Sequence, residues 1–332
     1  MSNNNTPPIG SIIRYQFSRP SVTNWSYPLM VMSVLTAVFY GIRILANSKA
    51  CPFPPTSLIG YTFLSVLMTL CVLLLPGFVL SSGITDQVIG RNTGAGSLLL
   101  AACSGIPLMM VTTSIYNFTS WIVLRLGSSV IFPAFFYHGG TESKTGMVLS
   151  ILADTVVPAA GASVFFFGLL WSRFRSRERF VGYIIISCAY MLYSMDFLAA
   201  GSLFVTGLWC CFLRTKTGNI FCPFLALVSS RLSVFLFGNA LTKIDILKVQ
   251  TYSDIDSTFF YSSLPALFIG VILISFFMRS LNSFRDAFSD EEEEGIYDKV
   301  IPAFDKGLNL TVITAGIILA ALWIMIIKGV HI

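Results

Sequence analysis

Apolar runs long enough to cross a hydrocarbon core recur along the whole chain, separated by short polar breaks. A helix needs about 20 residues, at ~1.5 Å of rise each, to span roughly 30 Å of hydrocarbon. The runs fall at 26–46, 57–80, 96–122, 146–171, 180–195, 197–213, 220–241, 259–278 and 308–327. Each is continuously apolar, whereas a membrane barrel alternates apolar with polar side chains. With 55% hydrophobic and only 11% charged residues in 332, ordinary soluble globular usage is excluded. The pattern predicts an all-α fold, a polytopic transmembrane helical bundle of eight or nine spans. The count turns on 98–132, where Pro107, Asn117 and Arg125 interrupt the run. One span, one span with an interfacial segment, or two would fit there.

Lysine and arginine are retained on the cytoplasmic side of a membrane, so loop charge sets the orientation. Arg14 and Arg19 precede the first run, Arg91 the third, and Arg173, Arg175, Arg177 and Arg179 follow the fourth. Arg214 and Lys216 follow the sixth and Arg279 and Arg285 the eighth. All lie on one face if the third run crosses once. Arg43, Lys49, Arg125, Lys144, Lys243 and Lys248 fall opposite and weaken the bias without reversing it. This places the amino terminus in the cytoplasm, the carboxyl end outside, and the chain in the plasma membrane as a multi-pass protein. The organisation is then a cytoplasmic segment 1–24, amino-terminal helices over 25–144, a core over 145–241, and carboxyl-terminal helices over 242–332. The last part carries a cytoplasmic loop, 279–307, with the acidic run SDEEEEG. Some 25 polar residues precede the first apolar run and no small-residue cleavage site follows it, so a signal peptide is not expected.

The seven cysteines fall mostly inside the runs and show neither paired spacing for disulfides nor zinc-ligand spacing. Two histidines, His138 and His331, lie outside the runs, and no HExxH motif occurs. No metal and no cofactor are expected. The net charge of +5 fits a basic cytoplasmic surface on anionic lipid, and nothing reads as a nucleic-acid binder.

Ionisable residues inside a span cost roughly 2.5–3.5 kcal/mol at mid-membrane and call for partners. Asp154 lies about two turns into the fourth run from outside and Arg231 about three turns into the seventh from inside, which brings both to a similar depth. The expectation is that they pair, as a salt bridge fixing helix register or as a site for a polar substrate. Asp196 falls at a turn and is expected at the headgroups. Small residues at Gly161, Ala162 and Ser163, at 199–202, and at Ser229, Ser230 and Ser233 predict close helix approach.

The stretch SCAYMLYSMDFLAAGSLFVTGLWCCFLRTKTGNIFCPFLALVSSR combines two short apolar runs, Gly207, the basic turn around Arg214 and Lys216, and Pro223 opening the next run. In this layout the region 145–239 resembles the CPBP (CAAX protease and bacteriocin-processing, or Abi) family of intramembrane proteases. The family's first motif, two glutamates followed after three residues by arginine and glycine, matches Ala162, Ser163, Phe167 and Gly168, so only the glycine is kept. Its Phe-x-x-x-His motif matches Tyr190 and Ser194, and its His-x-x-x-Asn motif matches Leu227 and Arg231. A glutamate base and histidine or asparagine donors each contribute orders of magnitude in rate, and Ala, Ser, Phe and Leu do not replace them. The resemblance thus implies a degenerate member without catalytic residues, a pseudoprotease acting as scaffold or regulator of another membrane or envelope protein, with membrane lipids around it. Two alternatives stand beside it: an active intramembrane endopeptidase with displaced catalytic groups, for which Asp154 is the intramembrane acid, and a small-molecule or lipid transporter. Ser163 and Ser194 have no histidine or lysine within the runs to activate them as nucleophiles.

Overall fold

In a lipid-like environment a run without polar side chains satisfies its main chain only as a helix, and the computed structural model is helical wherever the apolar runs fall. It describes residues 25–46, 58–81, 85–90, 93–126, 144–174, 179–238, 240–241, 243–244, 255, 258–286 and 310–328. The elements are α1 (Ser26–Ala46), α2 (Leu58–Leu80), α3 (Thr85–Ile89), α4 (Ala95–Arg125), α5 (Val148–Arg173), α6 (Arg179–Ser194), α7 (Ala200–Thr217), α8 (Phe221–Phe237), α9 (Thr258–Asp286) and α10 (Leu310–Ile327). By length and composition α2, α4, α5 and most of α9 suffice to cross a membrane, and shorter apolar helices accompany them. Outward-facing Phe63, Phe78, Phe268, Ile272, Phe276 and Ile317 are more than half exposed, which suggests insertion into lipid. The segment 1–24, the acidic run and both histidines lie outside the described residues.

Two apolar clusters organise the bundle. The larger gathers residues of α1, α2, α5, α6 and α10 around Phe165, Phe166 and Phe167, and the smaller joins α4 and α9. Helices α7 and α8 serve both, through Cys210, Cys211 and Leu227 on one side and Trp209, Leu213, Cys222 and Ala226 on the other. Small residues permit this density. A Cβ on Gly161 would lie 2.5 Å from Thr69, and one on Gly105 would lie 2.6 Å from the Ser230 amide.

The third apolar run is a single helix, α4, bent at Ser104. Pro107, three residues on, has no amide to donate back into that turn. At this bend Ser104 donates to the Ala101 carbonyl at 2.7 Å and accepts from Trp209 Nε1 at 3.1 Å. Asn117 does not interrupt the helix. Fully buried, it donates to Ser263 Oγ at 2.9 Å and accepts the Ile244 amide at 3.0 Å. Helix α9 continues to Asp286, so the segment expected to begin a loop at 279 is helical for its first two turns.

Two of the loop arginines used to set the orientation also have structural roles. Arg214 is only 4% exposed. Its guanidinium donates to the carbonyls of Gln87 at 2.7 Å, Val88 at 2.9 Å and Ile89 at 3.2 Å, and to that of Gly218. It thereby caps α3, a helix of 5 residues too short to satisfy its own C-terminal carbonyls. Two left-handed glycines, Gly90 (φ 82°) and Gly218 (φ 70°), bring the ends of α3 and α7 together. A Cβ on Gly90 would lie 1.8 Å from the Gly218 oxygen. Arg173, also buried, donates to the Leu80 carbonyl at 3.1 Å, so the end of α2 and all of α3 are held by arginines from α5 and α7. Gly168 belongs to the same junction, with Val88 2.8 Å from where its Cβ would be.

Candidate functional site

The site begins with a proline. Pro158 has no N–H, so the carbonyl four residues back, that of Asp154, loses its helical donor. The helix responds with a π turn over Leu152–Val156, in which Val157 N–H bonds back to Leu152. A π register would pair the Ala153 carbonyl with residue 158, which again is the proline. The carbonyls of Ala153 and Asp154 are therefore open to donors from other helices. Ser65 of α2 donates to Ala153 at 3.1 Å, and the Arg231 guanidinium of α8 donates to Asp154. Neighbouring helices commonly satisfy a proline-broken membrane helix in this way. Helix α2 repeats the pattern, with a π turn over Leu70–Leu74 directly before Leu75 and Pro76.

Asp154 and Arg231 do meet, as expected from their depths, but the contact differs from an ion pair of side chains. The guanidinium takes the main-chain oxygen of Asp154. The carboxylate accepts hydrogen bonds from the Tyr61 hydroxyl and, at 3.0 Å, from Ser150 Oγ. Arg231 is only partly buried and lines the cleft described below. The Tyr190 hydroxyl lies beside its guanidinium.

These groups line a cleft of about 180 Å³ between α2, α5, α6, α7 and α8. Tyr61, Asp154, Tyr190, Tyr193, Ser194 and Arg231 form its polar part, and Met68, Pro158 and Leu203 its apolar part. Of the eight positions matched to the protease motifs, Tyr190, Ser194 and Arg231 line the cleft. Ala162, Phe167 and Leu227 lie in the larger apolar cluster, and Ser163 is buried with no hydrogen-bond partner among the described residues. Phe166 and Phe167 pack on Tyr190 with centroids 5.4 and 5.8 Å apart, so aromatic rings separate the first motif from the cleft. Ser194 donates its proton to the Met191 carbonyl at 2.6 Å. The cleft offers donors and acceptors for recognition. Among the described residues no group of three His, Cys, Asp or Glu side chains gathers to hold a metal.

Sequence reasoning missed Tyr61, Ser65 and Tyr193. The first two carried a signal: Tyr61, Ser65 and Thr69 recur every four residues and so form one polar stripe on an otherwise apolar run. Asp196 falls at the turn between α6 and α7, as expected. It caps the turn into α7, accepting the Ala199 amide at 3.1 Å. Burial pushes its carboxyl above the usual carboxylate range, against the pull of the Lys243 charge and the amides of Ala199 and Leu198. Lys243 itself sits over the Tyr116 ring, 4.1 Å from the centroid.

No protein-family model matches the chain, and no curated protein or solved structure matches it significantly.

Proposed function

We propose that this chain is a plasma-membrane protein of eight or nine spans, with a cytoplasmic amino terminus and a CPBP-like core, that acts by binding rather than by hydrolysis, as scaffold or regulator of another membrane or envelope protein. The observation that supports this reading most is the fate of the motif positions. Ala162, Phe167 and Leu227 are apolar core, and Ser163 is sealed away from the cleft. Water activation needs a base within hydrogen-bond reach of the water it deprotonates. Asp154 is the acid in the cleft, and its carboxylate is occupied by Tyr61 and Ser150. The test is crosslinking and affinity capture from native membranes, with wild type and an Asp154→Ala variant read by the same mass spectrometry. Intact partner at equal stoichiometry with both supports the binding reading. Cleaved fragments that depend on Asp154 would overturn it in favour of an active peptidase.

A further inference from the structure

A guanidinium set among membrane helices calls for acceptors. Arg231 is tethered to the Asp154 carbonyl, has the Tyr190 hydroxyl as a second neighbour, and lines the cleft only partly buried. The nearby Asp154 carboxylate is turned toward the hydroxyls of Tyr61 and Ser150. Arginine's planar fork matches two oxygens of a carboxylate or phosphate. Beside it stands the Tyr190 hydroxyl, and across the cleft lie Met68 and Leu203, which suit an alkyl chain. A volume of about 180 Å³ admits a headgroup and the first carbons of a tail, but not a folded partner.

We infer that the cleft is a binding site for an oxyanion group, phosphate or carboxylate, held by the cleft-lining guanidinium of Arg231, with the apolar wall suited to an amphiphile. This rests on the binding reading above and names the ligand class. The guanidinium fixes the acid group, Tyr190 adds a hydroxyl, and Leu203 shapes the tail end.

The experiment uses the full chain, delipidated in neutral detergent, and three probes: phosphatidylglycerol, inorganic phosphate, and diacylglycerol as the phosphate-free amphiphile. Binding to wild type, Arg231→Gln, Arg231→Lys and Leu203→Trp is measured by native mass spectrometry and titration. Phosphatidylglycerol is expected to bind wild type at least tenfold more tightly than Arg231→Gln, with Arg231→Lys between them, while diacylglycerol shows no such dependence. Leu203→Trp keeps Arg231 and its tether and serves if Arg231→Gln does not fold. It is expected to weaken phosphatidylglycerol binding and leave inorganic phosphate unaffected. A dependence on Arg231 seen with inorganic phosphate but not with the lipid assigns the site to a soluble acid. Equal binding of both phosphate probes to wild type and Arg231→Gln overturns the inference, as does phosphatidylglycerol binding indifferent to Leu203→Trp when Arg231→Gln is unfolded. Recovering the bound probe keeps the two readings apart: a probe bound but hydrolysed overturns the non-hydrolytic reading, whereas a probe never bound overturns the ligand assignment alone.

Discussion

Arg214 and Arg231 both donate to main-chain carbonyls that a neighbouring helix fails to satisfy, yet one meets four carbonyls and the other meets one. Arg214 meets four carbonyls at the junction of α3 and α7 and is almost wholly enclosed. Arg231 meets one, at a π turn, and faces a cleft. A cation enclosed among several carbonyls of its own fold closes a structural gap. One that bonds a single carbonyl and lines a cleft keeps capacity for something else. The two arginines therefore separate a fixed end of the bundle from a receptive middle, and substitutions should divide along that line.

The largest loss is expected at the enclosed end. Arg214→Gln leaves buried carbonyls of α3 without donors, each worth about 1–3 kcal/mol, and should lower unfolding stability in detergent by more than about 3 kcal/mol. Gly90→Ala should approach that loss by a different route, since the left-handed backbone and the Gly218 oxygen both oppose a Cβ. Chemical unfolding followed by circular dichroism measures both. A Gly90→Ala protein of wild-type stability would mean that the α3–α7 junction is looser than its geometry.

Arg231→Gln should cost less, about 1 kcal/mol, in the range measured for single interhelical polar contacts in membrane bundles. Its effect on stability should also be nearly independent of the Asp154 side chain. Because Arg231 holds the main-chain oxygen, Asp154→Asn leaves that acceptor in place, and the Asp154→Asn, Arg231→Gln double variant should be additive to within about 0.5 kcal/mol. A side-chain salt bridge would instead make each single change cost more than the pair of changes together. Strong coupling in the cycle would return the contact to the simple ion pair that the sequence suggested.

That difference shows how far the sequence could be read. Helix positions were legible because an apolar run in lipid has one solution for its backbone, and the described helices other than α3 fall where the runs do. Asp154 and Arg231 were brought together by counting turns, which is local geometry. What they do to each other was not legible, because it depends on Pro158 removing a donor and on α8 lying where the freed carbonyl points. The bonds Arg173 and Arg214 make were not legible for a related reason. Loop-charge reasoning treats a cation near a helix end as a headgroup marker, whereas Arg173 and Arg214 are turned inward onto the carbonyls of Leu80 and of α3. The one local clue was the brevity of α3 and the glycines flanking it. The cleft needed the tertiary fold, since its polar groups come from helices far apart in sequence.

The smallest predicted effect lies at the turn between α6 and α7, where Met195 adopts a left-handed φ of 50° and Asp196 follows it. Burial raises the Asp196 carboxyl above its ordinary value, and the nearby Lys243 charge offsets only part of this. A carboxyl whose folded value lies above its unfolded value favours the protonated fold. Its contribution to stability is complete below the unfolded value of about 4 and is lost as pH rises through the folded value. Asp196→Asn removes that titration but keeps an oxygen to accept the Ala199 amide, and Asn caps about as well as Asp. The variant should therefore match wild type at the acid end and become slightly more stable toward neutral pH, by less than about 1 kcal/mol. Asp196→Ala, which loses the cap, should be less stable at every pH. If Asp196→Asn instead loses stability as pH rises from 4 to 7, the Lys243 charge outweighs burial, and the turn joins Arg214 on the structural side of the molecule, closed by an ionised pair.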